Sequence, residues 1–237
     1  MGRAEGSWAQ ARVGSSYGLT RRTPPAFEEY CECIYELLEE NVEVIQARIV
    51  ERLQVSRPSV SEMMKRMEAE GLIALSGSSI ALTEMGEKLA QRTVRRHRIA
   101  ERFLTDILGL SWAQAHHEAG RWEHVMSAEV EMAMDRVLGN PTTCPHGNPI
   151  PGSQYLATLV MRLVDVAPGR GFTVDRIPEE LEFTPGLLEF LETAEIHPGK
   201  SGMVSATSPD GSVTVEIDGQ RIGVGSFASA RILVTAQ

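Results

Sequence analysis

The stretch ARIVERLQVSRPSVSEMMKRMEAEGLIALSGSSIALT, residues 47–83, decides the architecture of this 237-residue chain. It continues an apolar run, Val44-Ile45-Ala47-Ile49-Val50-Leu53, that stops at QVSRPSV. Ser56 is placed to cap a following helix, and Pro58 falls in its first turn, where a missing N–H costs little. Val60, Met63, Met64 and Met67 then recur at helical spacing, and Gly71 supplies the left-handed residue that commonly ends a helix. LIALSGSSIALT gives two short β-like runs around a Gly-Ser-Ser turn, a hairpin signal. Upstream, Phe27, Tyr30, Ile34, Leu37 and Leu38 mark another helix with one apolar face. Helix, helix, turn, helix, hairpin is the order of a winged helix-turn-helix. The alternative is a small helical domain with an incidental hairpin. The third helix carries Ser56, Arg57, Pro58, Ser59, Ser61, Lys65 and Arg66 on its exposed face and approach, hydroxyls and cations suited to phosphate and base-edge contacts in a major groove. Glu62 on the same helix weakens the positive footprint, although a carboxylate can accept from cytosine N4.

The formal net charge of −9 argues at first against a nucleic-acid partner, but it hides an uneven distribution. Between Asn41 and Leu104 there are 11 Lys/Arg and 8 Asp/Glu, whereas Gly171–Gln237 holds 4 and 10. No run approaches the roughly 20 apolar residues of a membrane span, and the start lacks the basic-then-apolar order of a secretory signal. Three cysteines, Cys31, Cys33 and Cys144, do not make a disulfide framework. A cytoplasmic protein without a membrane partner is expected.

Residues 1–24 are rich in Gly, Ser, Arg and Pro without apolar periodicity and are expected to be a disordered tail. Residues 25–86 form the expected DNA-binding domain. Residues 87–152 form a helical domain, built from long helical patterns at Glu84–Leu108 and Ser111–Leu138 joined at Gly109. Such a pair seeks a partner, and a homodimer is expected. CPHGNPIPGS, Cys144–Ser153, is rich in breakers and reads as the domain boundary. Residues 153–237 turn acidic and β-rich, with one helix at TPGLLEFLETA, as in a small SH3-like barrel. The fold class is thus mostly α with a small β domain.

The segment HEAGRWEHVMSAEVE, His117–Glu131, poses the chemical question. The zinc-peptidase pattern His-Glu-x-x-His fails, because Arg121 stands where the second histidine belongs. The inverted form fails at Gly120. A metal hydrolase, which also needs an open coordination position and a general base, is therefore the remote alternative. Two ligand-bearing faces survive: His97 with Glu101, four apart, and His116 with Glu123 and His124, seven and eight apart. Imidazole and carboxylate donors suit Mn(II), Fe(II), Co(II), Ni(II) or Zn(II).

With IYEL, ARIVERLQVSRPSVSEMMKRMEAEGLI, RRHRIAERFLTDILGL, HHEAGRWEHVMSAEVE and GNPIPG in this order, the chain closely resembles the diphtheria-toxin-repressor family of metal-dependent transcriptional repressors. The likeness covers residues 26–153 strongly and extends more loosely over the SH3-like part. It implies two metal sites per subunit, holding one or two ions. The ancillary site would comprise His97, Glu101, His116, Glu179 and Glu182. The primary site would comprise Glu29, Gly120, Glu123 and His124. Members of the iron branch carry methionine at the position of Glu29 and cysteine at that of Gly120, whereas the manganese branch typically carries carboxylates at both. Glu29 therefore points toward Mn(II), with Fe(II) as the alternative, while Gly120 offers no side chain. Some manganese-sensing relatives also recruit a Cys-x-His pair, here Cys144 and His146. The resemblance implies a homodimer that binds a double-stranded DNA operator and represses metal-uptake genes, with no catalytic residues and no small-molecule substrate.

Overall fold

The computed structural model describes residues 23–236. The expected tail therefore lies outside the described residues, apart from Thr23 and Pro24. Helices α1 (Pro25–Glu39), α2 (Gln46–Leu53) and α3 (Arg57–Ala69) precede a hairpin of β1 (Ile73–Ser76) and β2 (Ser79–Leu82). Ser56 caps α3 by accepting from the Ser59 N–H at 3.3 Å. Gly71, at φ +73°, ends it. The wing is tied back by the Ile80 N–H, which donates to Val44 O at 3.0 Å. Ile34, Ile49, Val60, Met64, Met67, Leu72 and Ile80 close a core that all these elements share.

The middle domain is built on α4 (Glu84–Asp106), whose N-cap is Thr83, so the expected domain boundary falls inside its first turn. The chain then forms α5 (Trp112–Trp122) and α6 (Ala128–Val137). The expected continuous helix over Ser111–Leu138 is thus two helices. Ser127 accepts from the Val130 N–H at 3.3 Å and starts a new helix, leaving Glu123 as the C-cap of α5. Ile99, Leu104, Ala115, Ala119, Met126 and Ile150 form the local core.

The C-terminal domain is a six-stranded sheet in the order β3-β8-β4-β5-β6-β7, antiparallel at each pairing. Its strands are β3 (Met161–Arg162), β4 (Gly171–Arg176), β5 (Ser201–Thr207), β6 (Val213–Ile217), β7 (Gln220–Val224) and β8 (Leu233–Ala236), with α7 (Glu179–Glu182), α8 (Leu187–Thr193) and α9 (Ser226–Ser229) between them. The β-rich character expected of this region and the helix expected at TPGLLEFLETA, here α8, both appear. The short α7 had no periodic signal.

The domains interlock. Trp112, the first residue of α5, packs into the core of the sheet domain, and its N–H donates to the Glu192 carboxylate at 3.3 Å. The segment read as a loose boundary is buried from Cys144 to Asn148, and the exposed connection begins after it. Gly147 explains the tight fit: at φ +90°, an added Cβ would stand 2.3 Å from Asp175 O.

Candidate metal centre

Helix α1 is buried on two sides. One side enters the core of the DNA-binding domain; the other presents Glu28, Glu32 and Glu36, at i, i+4 spacing, toward α4. Burying carboxylates is costly unless they are paired or coordinated. Opposite them stand His97 and Glu101 of α4, His116 of α5, and Glu123 and His124 at the end of α5. Glu179 and Glu182 of α7 complete the wall from the C-terminal domain, and the buried loop adds Cys144 and His146.

These side chains form two adjoining clusters. In the inner one, His97 Nε2 lies 3.2 Å from Glu101 Oε1 and from His116 Nδ1, and His116 Nδ1 lies 3.0 Å from Glu101 Oε1. Glu182 Oε2 stands 3.1 Å from His116 Nδ1 and 3.0 Å from His146 Nδ1. Donor atoms of His97, Glu101 and His116 lie within 4.8 Å of one another, as do those of Glu101, Cys144 and His146 and those of His116, Glu179 and Glu182. In the outer cluster the same holds for Glu32, His97 and Glu123. Glu123 Oε2 is 2.5 Å from His97 Nδ1, and Glu123 Oε1 is 3.1 Å from His124 Nε2. His124 Nδ1 meets Glu28 Oε2 at 2.8 Å. His97 thus faces the inner cluster with one nitrogen and Glu123 with the other, the arrangement by which a carboxylate orients a ligating imidazole.

The ancillary residues expected from the sequence, His97, Glu101, His116, Glu179 and Glu182, are brought together, and Cys144 and His146 join them. Glu123 and His124 come together in the outer cluster. Glu29 is exposed, one position round the helix from the buried Glu28, while Glu28 meets His124 and Glu32 joins His97 and Glu123. Their signal was the four-residue spacing Glu28-Glu32-Glu36. Glu29 remains on the rim of a cavity of about 500 Å3 that Glu32, His97, Gly120, Glu123 and His124 also line. Gly120 sits within α5 with open space beside it; nothing lies within 4 Å of an added Cβ.

The electrostatics are those of a cation site. Among the described residues, Glu101 Oε2, Glu179 Oε2 and His146 Nε2 are buried without a hydrogen-bond partner, and Glu182 Oε2 meets only the imidazole nitrogens of His116 and His146. Such orphaned donor atoms on converging side chains fit a divalent ion. Burial alone would lower the His97 pKa, but Glu101 and Glu123 outweigh it and hold the ring well above its usual range. Burial opposes the charged form of His116 too, yet its bonds to Glu101 and Glu182 push its pKa up to about 10. Burial would raise Glu101, but His97 and His146 hold it well below the usual carboxylate range. Burial, then the Glu123 charge, push Glu32 well above it.

Behind the clusters lies Arg98, fully buried. Its Nε donates to Glu179 Oε1 at 3.1 Å, its Nη2 to Glu39 Oε2 at 2.6 Å, and its Nη1 to the Pro149 carbonyl. One cation therefore joins α1, α4, α7 and the Cys144–Ser153 loop.

On the DNA-binding domain, Ser56, Arg57, Pro58, Ser59, Glu62, Lys65 and Arg66 are exposed and Ser61 is half-buried. The Arg66 guanidinium lies 5.3 Å from the centre of the Phe27 ring, which ties it to α1.

Residues 23–80 match the family model "Iron dependent repressor, N-terminal DNA binding domain", and residues 83–152 match "Iron dependent repressor, metal binding and dimerisation domain". The chain is 42% identical over 205 residues to the iron-dependent repressor IdeR of Mycobacterium tuberculosis, covering 81% of this chain and 88% of that protein. It is 40% identical over 205 residues to the diphtheria toxin repressor of Corynebacterium diphtheriae, covering 82% and 90%. Among solved structures, a manganese-dependent transcriptional repressor in complex with manganese superposes with a TM-score of 0.80 at 30% identity, over 89% of this chain and 100% of that one. The manganese regulator SloR gives 0.73 at 30% identity, over 91% and 100%. Among the described residues, no helix is long and apolar enough to cross a membrane. The winged helix, the buried carboxylate-imidazole clusters and these likenesses agree that the chain belongs to the iron-dependent repressor family, metal-dependent transcriptional repressors rather than enzymes.

Proposed function

We propose that this protein is a homodimeric, Mn(II)-responsive repressor that binds a double-stranded DNA operator and lowers expression of metal-uptake genes when Mn(II) is plentiful. The observation that carries the metal assignment is Glu32: it enters the outer cluster from α1 and supplies a hard oxygen donor where Gly120 has no side chain. With Glu28, Glu123 and His124 beside it, the outer donors are oxygen and nitrogen, a set that suits Mn(II). Cys33 lines the same cavity, and burial, then Glu36, push the pKa of its thiol up. Dimerisation is supported by the exposed apolar side chains Val125, Val130, Met132 and Val137 on and beside α6. Fe(II) is the second reading. The 40–42% identity to iron-dependent and diphtheria toxin repressors favours it, and an N/O site binds Fe(II) more tightly than Mn(II).

The residues define how an ion would act. Glu28 and Glu32 belong to the DNA-binding domain, His97, Glu101, His116, Glu123 and His124 to the middle domain, and Glu179 and Glu182 to the C-terminal domain. A divalent cation supplies positive charge that these acids share, so it stabilises the arrangement in which the three domains close on one another. At a metal concentration 100 times Kd the gain is about 2.7 kcal/mol. Ligating histidines must be neutral, so His97 and His116, both raised by their carboxylate neighbours, would have to give up protons to hold an ion. By linkage, DNA that selects the closed arrangement tightens metal binding by the same factor.

The test is to select duplexes from a random pool with Mn(II)-loaded protein and then to titrate them by fluorescence anisotropy in chelator, Mn(II), anaerobic Fe(II) and Zn(II). Equal affinity in chelator and in every metal removes the proposal. Activation by Fe(II) at a far lower free concentration than the cell sustains, with none by Mn(II), selects the iron reading.

A further inference from the structure

Helix α7 is only four residues long, yet it faces two ways. Glu179 and Glu182 turn into the inner cluster. The residues between and after them meet the DNA-binding domain: the Glu180 N–H donates to Glu40 Oε1 at 2.8 Å, and the Phe183 ring lies 5.2 Å from the guanidinium carbon of Arg52. Arg52 belongs to α2, the first helix of the helix-turn-helix. Its side chain is 5% exposed and pairs with Glu36 and Glu40 of α1. The other neighbour of the Phe183 ring is His116, packed nearly perpendicular to it at 5.5 Å between centroids. Phe183 is therefore held between an imidazole of the inner cluster and a buried cation of the helix-turn-helix.

We infer that Phe183 and Arg52 are positioning residues that carry the closed state of the inner cluster to α2, so that the C-terminal domain itself sets the DNA-binding geometry. This rests on the reading that His116, Glu179 and Glu182 hold an ion. Fixing Glu182 and His116 fixes the ring between them. A ring face attracts a guanidinium through its quadrupole, and here the Arg52 side of the contact is shielded while the Phe183 ring keeps one face to solvent, 45% of the residue being exposed. Arg52 cannot follow the ring without carrying α2, because Glu36 and Glu40 hold its guanidinium on the other side. This route is separate from the outer one, in which Glu28 and Glu32 pull on α1 directly.

The test compares full-length protein and the variants Phe183→Leu, Phe183→Tyr, Arg52→Lys and Phe183→Leu/Arg52→Lys. For each, Mn(II) affinity is measured without DNA by calorimetry, and the affinity for a selected duplex is measured in chelator and in saturating Mn(II). Arg52→Lys keeps the charge beside Glu36 and Glu40 but loses the planar fork. We expect Phe183→Leu and Arg52→Lys each to lose about fivefold of the metal-dependent gain in DNA affinity, the effect of one cation–π contact. The double variant loses no more than either alone, as a shared contact requires. Phe183→Tyr, which keeps a ring face, retains the gain, and Mn(II) affinity without DNA stays within about threefold throughout. The inference is overturned if the gain is unchanged in both single variants or if tyrosine behaves as leucine. It is also overturned if Phe183→Leu loses Mn(II) affinity by the same factor as DNA affinity, since the ring then merely supports His116. Glu182→Gln separates the two levels: unchanged Mn(II) affinity there removes the inner-site reading and this inference with it, whereas failure at Phe183 alone leaves the inner site standing.

Discussion

Gly120→Ala stabilises the metal-free protein. Gly120 lies inside α5 without the positive φ that would demand glycine, and an added Cβ meets nothing within 4 Å. A helix-interior glycine costs about 0.5–1 kcal/mol relative to alanine, through the extra backbone entropy lost on folding. No clash offsets that term here, so the whole of it is recoverable. In a chain of this size it corresponds to a rise of about 1–4 °C in the midpoint of thermal unfolding. The assay is scanning calorimetry at neutral pH in excess chelator, followed by Mn(II) titration. Mn(II) affinity stays within about threefold of the parent, because the donors come from Glu28, Glu32, Glu123 and His124. A midpoint that falls would refute the account of an unconstrained helical position. A large loss of Mn(II) affinity at a raised midpoint would show instead that the space beside Gly120 is itself part of the site.

Gly120→Cys places a thiol on the same cavity wall and shifts relative affinity from Mn(II) toward Zn(II) and Co(II), which competition between the metals measures; an unchanged ratio counts against the hard-donor argument. Glu32→Gln leaves the metal-free protein within about 0.5 kcal/mol by urea unfolding, since burial, then the Glu123 charge, already disfavour the ionised form of Glu32, while Mn(II) affinity falls by at least about tenfold. Arg98→Met strands buried Glu179 and half-buried Glu39 and costs about 3–5 kcal/mol in urea unfolding; a loss below about 1 kcal/mol sinks the network described for it. The pH dependence follows from His116, whose pKa is raised to about 10 in the folded chain. A raised histidine contributes stability that is fully present below about pH 6.5 and lost as pH rises toward 10. The chelated protein therefore melts at falling temperature across that window, while Mn(II) affinity rises as competing protons leave. Opposite slopes for the two measurements are the expected signature.

Local signals were the most legible in the sequence. Ser56, Pro58 and Gly71 act within three residues of themselves, so cap, first turn and stop of α3 could be read directly. The second buried face of α1 could not, because a stripe of glutamates looks like a solvated face unless the opposing histidines are known to lie against it. Nothing in the sequence alone therefore places Glu28 and Glu32, buried, beside the imidazoles. The α5–α6 break had a signal in Ser127 followed by Glu129 and Glu131, an N-cap with an acidic first turn, but the apolar periodicity ran through it. His116, within α5, turns to the inner cluster, whereas Glu123 and His124, where α5 ends, turn to the outer one. Breakers in CPHGNPIPGS mark a domain boundary but not how tightly it packs. Only the packed structure shows that Gly147 permits a close backbone approach and that Cys144 and His146 are thereby pressed against Glu101.

Arg98 also bears on how such a chain can diversify. Its charge is neutralised by acids from two other regions, Glu39 and Glu179, far apart in sequence. A C-terminal domain grafted from another protein would need a carboxylate at the position of Glu179; without one, buried Arg98 keeps only the half-buried Glu39 as its counter-charge.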